Sequence, residues 1–205
     1  MSPKLSRQAM LGLAILLGAV TALTLATDAC AAGPQARIVP LSAQEQADLL
    51  YMREEEKLAR DVYLTLSAKW KTPIFSNIAA SEQNHMDSIL NLLNRYGVAD
   101  PVAGMGVGEF ATEEFQTMYD ELVAWGSQSL IDALEVGCTI EEIDIIDLWN
   151  CMDATTHQDV LRVYQNLEAG SENHLRAFVG QLASRGVTYV PAYLTPEQYQ
   201  QIINP

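Results

Sequence analysis

The sequence predicts an all-α protein in which four long helices form a bundle with one long crossover connection. Apolar residues recur at helical spacing through four long stretches, strand-like alternation is scarce, and Gly or Pro follows most of the stretches. The links within the first pair of helices and within the second pair are short, whereas about 30 residues separate the pairs. This spacing predicts two helical hairpins joined by a single crossover.

Caps and helix breakers place the elements in order. Ser42 is predicted to cap the first long helix and Ser127 the third, while Gly97 and Gly186 end the second and fourth. The four long helices are predicted over residues 43–69, 75–96, 128–152 and 156–185. The other elements are the glycine-containing loop of the crossover, its short helix and a tail that ends in a small helix, predicted over 98–111, 112–125 and 187–205.

The first residues have the layout of a secretory signal peptide. Lys4 and Arg7 precede an uncharged, mostly apolar run over 10–27, and small residues follow as far as Ala32. We therefore expect residues 1–31 to be removed and the protein to be exported, either to a periplasm or to the extracellular space. An uncleaved anchor and a lipid on Cys30 are the alternatives, and they are the only routes to membrane contact that we expect.

The remaining chain divides into a linker over 32–41, a bundle domain over 42–186 and a C-terminal extension over 187–205. The full chain carries a formal charge of −14, which argues against nucleic acid and anionic lipid as partners and favours cations. Cys138 and Cys151 are predicted to lie on one helix, about 20 Å apart, which is too far for a disulfide between them.

Two histidines occur in similar phrases, Ser-Glu-Gln-Asn-His at 81–85 and Ser-Glu-Asn-His at 171–174. On the second long helix Glu82 falls near the middle of the apolar face, with His85 beside it. A carboxylate there is costly unless it is paired, protonated or bound to a metal. In the second phrase Ser171 occupies the inward carboxylate position, and Glu172 points away from His174. We therefore interpret Glu82, His85 and His174 as ligands of an asymmetric metal site, in which the second long helix supplies a carboxylate and a histidine and the fourth supplies a histidine alone.

The other two long helices supply carboxylates. On the third, Glu141 lies close to the centre of the apolar stripe, and Asp144 could join it from the edge. On the first, Glu55 and Glu56 flank the apolar face almost equally, and Glu54 is predicted to point outward. Helical position alone does not separate Glu55 from Glu56.

Several phrases resemble known helical metalloproteins. Residues 56–63 resemble the Glu-x-x-Ala-Arg-x-x-Tyr segment of rubrerythrin-type proteins, 81–85 resemble their Glu-x-x-His, and 141–144 look like their paired carboxylates. More closely, the stretch 42–186 resembles the DUF2202 family of ferritin-like domains, through the phrases at 53–63, 140–145 and 174–178. The resemblance implies a ferritin-like bundle that holds iron or manganese, in one or two ions, and favours Glu56 over Glu55.

The predicted metal ligands are Glu56, Glu82, His85, Glu141, Asp144 and His174. Where rubrerythrin-type proteins have a bridging glutamate on the fourth helix, this chain has Ser171. The predicted ligands are therefore sufficient for one ion but few for two. Three functions remain open: redox chemistry on peroxide, oxygen or metal ions; metal binding without turnover; and a helical interaction domain whose metal site has degenerated. Assembly into a homo-oligomer is compatible with all three.

Overall fold

A computed structural model describes residues 39–205, so the predicted signal peptide and most of the predicted linker lie outside the described residues. The described chain contains six helices and no strand, which confirms the all-α prediction. The helices are α1 (Ala43–Trp70), α2 (Pro73–Tyr96), α3 (Glu113–Gly126), α4 (Leu130–Ala154), α5 (Gln158–Ala183) and α6 (Pro196–Ile203). Among residues 39–205, none of the helices is both long enough and apolar enough to cross a membrane.

Local chemistry explains the helix ends. Ser42 begins α1 with a capping box, in which its hydroxyl accepts from the Glu45 backbone N–H and the Glu45 side chain accepts from the Ser42 N–H. The predicted cap at Ser127 is wrong, because Ser127 follows the last turn of α3. The cap of α4 is Ser129, whose extended backbone lets its hydroxyl accept from the Asp132 N–H at 3.0 Å.

The four long helices pack as two hairpins. α1 packs mainly against α2 and α4 mainly against α5, while contacts of α1 with α4 and of α2 with α5 join the hairpins. An apolar cluster fills the bundle on one side of its middle, from Leu49, Met52, Ile89, Leu93, Leu148, Val160, Tyr164 and others. On the other side the rings of Tyr63, Phe75 and Phe178 lie within 5.3–6.5 Å of one another. The middle of the bundle, between these two clusters, is where the predicted ligands fall along the helices.

The long crossover is held by a buried ion pair on α1. The Lys57 ammonium contacts the Asp61 carboxylate and donates to the Gly106 carbonyl at 2.7 Å, and the Asp61 carboxylate accepts from the Gly108 N–H at 2.9 Å. α3, which follows this loop, packs on α1 and α4. The ion pair thereby fixes the glycine-containing loop of the crossover, at Gly106 and Gly108, against α1.

The tail belongs to the same compact unit as the helices, Leu41–Pro205. Its anchor is Glu142 on α4, a fully buried carboxylate that Tyr189 contacts through its hydroxyl at 2.5 Å. The same carboxylate accepts backbone N–H bonds from Ala192, Tyr193 and Leu194 at 2.8–3.2 Å. The helical pattern of the sequence does not single out Glu142.

Cys138 and Cys151 both lie on α4, and both are free and buried. The absence of a disulfide between these two residues is therefore as the helical spacing predicts.

We expect Glu142→Gln to lower the free energy of unfolding by about 2 kcal/mol. The replacement amide puts an NH₂ group against at least one of the four donors that Glu142 now accepts. Chemical denaturation monitored by circular dichroism measures the loss, with Glu121→Gln on the exposed face of α3 as the matched control. Equal stability of the two variants would contradict the anchoring role.

Candidate metal centre

Five predicted ligands come together in the middle of the bundle, at least one from each long helix. α1 supplies Glu56, α2 supplies Glu82 and His85, α4 supplies Glu141, and α5 supplies His174. The three carboxylate residues are 1 % exposed and the two histidines 8 %. The carboxylates therefore form the interior of the site, and the imidazoles are its more accessible side.

The side chains divide into two groups that share Glu82. In the first group, the His85 Nδ1 lies 2.7 Å from Glu82 Oε2 and 3.2 Å from Glu56 Oε2. The ligand atoms of this group all lie within 4.8 Å of one another, as a single metal ion requires. Of the two glutamates on α1 that helical position left open, Glu56 belongs to this group and Glu55 does not.

In the second group, the His174 Nδ1 lies 2.8 Å from Glu82 Oε1 and 3.5 Å from Glu141 Oε2. The two oxygens of Glu82 thus face different histidines. The imidazole rings of His85 and His174 stack with their centroids 5.6 Å apart. Each group contains one histidine, one carboxylate of its own and one oxygen of the shared carboxylate.

The hydrogen bonding of the site is incomplete. Glu56 Oε1, Glu82 Oε1 and His174 Nδ1 are buried without a hydrogen-bond partner among the described residues. Glu82 Oε1 and His174 Nδ1 compensate each other in part, because they lie 2.8 Å apart and form an ion pair when the imidazole is protonated. Buried polar atoms without partners are rare and costly. Oxygen and nitrogen lone pairs that converge in this way fit a bound cation.

Burial and neighbouring charges shift the pKa values of the site in opposite directions. Burial, reinforced by Glu82 and Glu141, raises the pKa of Glu56 to about 7, although His85 partly opposes this. Burial alone would raise the pKa of Glu82, but His174 and His85 lower it to about 2. The carboxylate that two histidines share is the one best held in its charged form.

The two imidazoles are correspondingly basic. Burial opposes their charge, but Glu56 and Glu82 raise the pKa of His85 to about 12. Glu141 and Glu82 likewise raise the pKa of His174 to about 10. Both shifts favour the charged imidazolium form in the metal-free protein at neutral pH, in which both ring nitrogens carry a proton. A metal ion that binds to Nδ1 of either histidine would have to displace the proton there.

Asp144 lies near the site but belongs to neither group. One of its oxygens accepts from the Ser171 hydroxyl at 2.5 Å, and the other has no hydrogen-bond partner in the described chain. Burial, Glu56 and Glu141 raise its pKa well above the usual range. Ser171 is buried and faces inward, as its helical position predicts.

Tyr63 is the other polar neighbour of the centre, and it lies at the end facing the aromatic cluster. Its hydroxyl donates to Glu141 Oε1 at 2.6 Å. This bond leaves Glu141 Oε2 directed towards His174.

The three consecutive glutamates of α1 are all buried, so the prediction that Glu54 points to solvent is wrong. Glu54 accepts from the Thr112 backbone N–H at 3.1 Å and from its hydroxyl at 2.8 Å, which ties α1 to the N-terminus of α3. Glu55 lies on the Asp147 side, where burial and then Asp147 raise its pKa well above the usual range. The crossover covers the face of α1 that helical periodicity assigned to water.

In the metal-free protein we expect Glu56→Gln to raise the free energy of unfolding at pH 8 by about 1–3 kcal/mol. The pKa of Glu56 rises from 4.5 to about 7 on folding, so the folded state binds more protons than the unfolded state between these values. Stability therefore falls as the pH rises through that window, and the amide removes this penalty.

Urea denaturation of chelator-treated protein at pH 8 and pH 4 measures the effect, with Glu121→Gln as the control. The gain should shrink towards zero at pH 4, where Glu56 is protonated in both states. A loss of stability at both pH values would mean that Glu56 serves as a structural ion pair.

Comparison with known proteins places these residues in a family. The chain is 50 % identical over 165 residues to a protein of Methanocaldococcus jannaschii named "Uncharacterized protein MJ0754", an alignment that covers 80 % of this chain and 89 % of the relative. The crystal structure titled hypothetical protein MJ0754, from the same organism under its name Methanococcus jannaschii, matches with a TM-score of 0.81 at 48 % identity. That match covers 84 % of this chain and 98 % of the crystallised one.

The family model described as "Uncharacterized protein domain (DUF2202)" matches residues 45–205. The match includes all five side chains of the centre and also the tail that Glu142 anchors. The chain therefore belongs to the DUF2202 family.

Proposed function

We propose that this protein is an exported, ferritin-like metalloprotein that holds two ions of iron or manganese and performs redox chemistry on peroxide, oxygen or metal ions. Glu56, His85 and one oxygen of Glu82 would hold the first ion, and Glu141, His174 and the other oxygen of Glu82 would hold the second. The ferritin-like assignment is supported by two helical hairpins, one crossover and carboxylate-histidine groups in the middle of the bundle.

The shared position of Glu82 is the observation that carries the proposal. Its two oxygens face two different histidines at 2.7 and 2.8 Å, in a site where several buried polar atoms have no hydrogen-bond partner in the described part of the chain. A purely structural ion pair would be expected to satisfy its oxygens with hydrogen bonds. The ligand atoms converge on two points, one on either side of the Glu82 carboxylate. This arrangement favours two cations, although Ser171 occupies the position where rubrerythrin-type proteins have a glutamate.

The donor set favours iron or manganese. Carboxylates outnumber imidazoles, and none of the donors is a thiolate, a combination that suits Fe²⁺ and Mn²⁺ better than Cu⁺ or a zinc thiolate site. The acidic chain, with a formal charge of −14, attracts such cations towards it. The two imidazoles, which are less buried than the carboxylates, form the side from which a small ligand reaches the centre.

The residues around the centre have separable roles. Bound iron or manganese would supply the change of oxidation state and the open positions at which peroxide or oxygen reacts. His85 and His174 would each release a proton on binding an ion, and Asp144, whose pKa is raised, would hold a proton beside the centre. Tyr63 holds Glu141 in orientation through its hydrogen bond.

The sequence contains no cysteine pair of the kind that carries electrons to such a centre. Its three cysteines, Cys30, Cys138 and Cys151, are far apart in sequence, so there is no paired-cysteine motif for a second redox metal. We propose a separate reductant, delivered to the accessible side of the imidazoles.

Metal binding without turnover is the alternative. Ser171 in place of a carboxylate, and Asp144 directed towards that serine, leave fewer ligands than two reactive ions commonly use. A store or scavenger of metal ions would need only the two groups that share Glu82.

We expect wild-type protein purified from its native compartment to contain iron or manganese at about two ions per chain. Glu82→Gln should lose both ions, because each group loses one charged oxygen. Metal analysis by inductively coupled plasma mass spectrometry measures this, and the intact mass of the same sample reports whether residues 1–31 have been removed.

Glu172→Gln is the matched control, because Glu172 lies in the second histidine phrase but pairs outward with Arg176 at 3.3 Å. This control should retain wild-type metal content. Metal-free wild-type protein, or a Glu82→Gln variant with unchanged metal, would refute the proposed centre.

We expect the loaded protein to consume peroxide or oxygen when a chemical reductant is added, and Glu82→Gln to lose this activity. Peroxide reduction takes two electrons and two protons for each peroxide converted to two waters, so the ratio of reductant oxidised to peroxide consumed is the diagnostic measurement. Full metal content without any turnover would select the alternative of metal binding alone.

A further inference from the structure

Gly170 on α5 lies directly against the histidine that α2 contributes. A Cβ atom built on Gly170 would lie 2.6 Å from His85 Nε2 and 2.8 Å from its Cε1. All three of the atoms nearest to that added carbon belong to His85. The His85 ring therefore occupies the space that a side chain at position 170 would take.

Helix formation does not favour glycine at this position. Glycine in a helix interior is less favourable than alanine by about 1 kcal/mol, and Gly170 lies within the 26 residues of α5. Gly180 on the same helix is the informative comparison, because a Cβ there would meet nothing within 4 Å. Close approach of the His85 ring is thus a feature of Gly170 and not of α5 as a whole.

The contact constrains the metal-binding atom of the ring. The Nε2 and Cε1 edge of His85 faces the α5 backbone, while its Nδ1 faces Glu56 and Glu82. His174, one turn after Gly170, stacks against the same ring. An imidazole is rigid, so the distance between the ring and α5 sets where Nδ1 lies relative to the two carboxylates. Metal sites tolerate misplacement of a ligand by only about 0.5 Å.

We infer that Gly170 is a positioning residue of the metal centre. Because Gly170 has no side chain, the His85 ring fits against α5, and the position of that ring determines how tightly a metal ion binds to the group formed by Glu56, Glu82 and His85. This inference rests on the proposed function. His174 is carried by α5 itself and reaches Glu82 and Glu141 without entering the contact at Gly170. An alanine at position 170 therefore acts directly on His85, whereas the contacts of His174 with Glu82 and Glu141 do not involve that position.

The test is titration of metal-free protein with Mn²⁺ alone, comparing wild type, Gly170→Ala and Gly180→Ala. We expect Gly170→Ala to weaken one of the two Mn²⁺ equivalents by about 10- to 100-fold and to leave the other unchanged. Gly180→Ala should bind like wild type. Equilibrium dialysis gives the stoichiometry, and circular dichroism establishes that each variant is folded.

A double-mutant cycle separates positioning of His85 from a general effect on the bundle. His85→Ala should itself lose the first equivalent, and adding Gly170→Ala to it should then change Mn²⁺ binding no further. A further loss in the double variant would overturn the inference, because Gly170 would be acting through something other than His85. Unchanged binding in Gly170→Ala, or the loss of both equivalents, would overturn it equally.

A readout in the metal-free protein keeps this inference distinguishable from the proposed function. The imidazole ¹H–¹⁵N correlation of His85 should shift in Gly170→Ala and stay at its wild-type position in Gly180→Ala. If wild-type protein binds no Mn²⁺, the proposed function fails, and so does the metal role of Gly170. A shifted His85 signal would then still establish the steric contact between position 170 and His85. An unshifted signal would contradict that contact too.

Discussion

The carboxylate of Glu82, buried between two imidazoles, is the interaction on which the middle of this protein depends. A charged carboxylate in the interior of a helical bundle is stable only if its oxygens are compensated. Here one oxygen faces His85 and the other His174, so a residue of α2 contacts both its own helix and α5. Glu56 and Glu141 complete the arrangement from α1 and α4. Each long helix is thus tied to the same small volume.

The protein uses buried glutamates in two different ways. Glu142 and Glu54 accept hydrogen bonds from backbone and hydroxyl donors and hold the tail and the crossover in place. Glu56 and Glu82, in contrast, each keep a buried oxygen that receives no hydrogen bond from residues 39–205. Residues of one type at similar burial therefore differ in whether the fold satisfies them. In Glu56 and Glu82 the oxygen without a donor is available to a cation, whereas the hydrogen bonds of Glu142 and Glu54 hold neighbouring segments in place.

Much of the architecture could be predicted from periodicity and caps. Helical spacing of apolar residues depends on neighbours along the chain, so the five longer helices were each predicted to within two residues at either end. The inward positions of Glu82, Glu141 and Ser171 could be read in the same way. The cap of α4 was misplaced by two residues, and the errors about burial arose where another segment covers a helix face. Glu54 looked exposed because the crossover that buries it contacts α1 only in the folded chain, and Glu142 had no visible role because its donors lie some 50 residues away.

The sequence by itself determined the helical class, the two hairpins and the residue types in the middle of the bundle, because these follow from local spacing and composition. Helical spacing left Glu55 and Glu56 as alternatives. Only the tertiary structure grouped Glu56 with Glu82 and His85, and only it showed that Glu82 is shared between two groups and that Gly170 receives the ring of His85. Adjacent residues on a helix point about 100° apart, so two neighbours can flank the inner face almost equally. Helical direction alone therefore does not decide which of them is a ligand. The distances that decide ligation arise between helices, and they exist only after packing has fixed one helix against another.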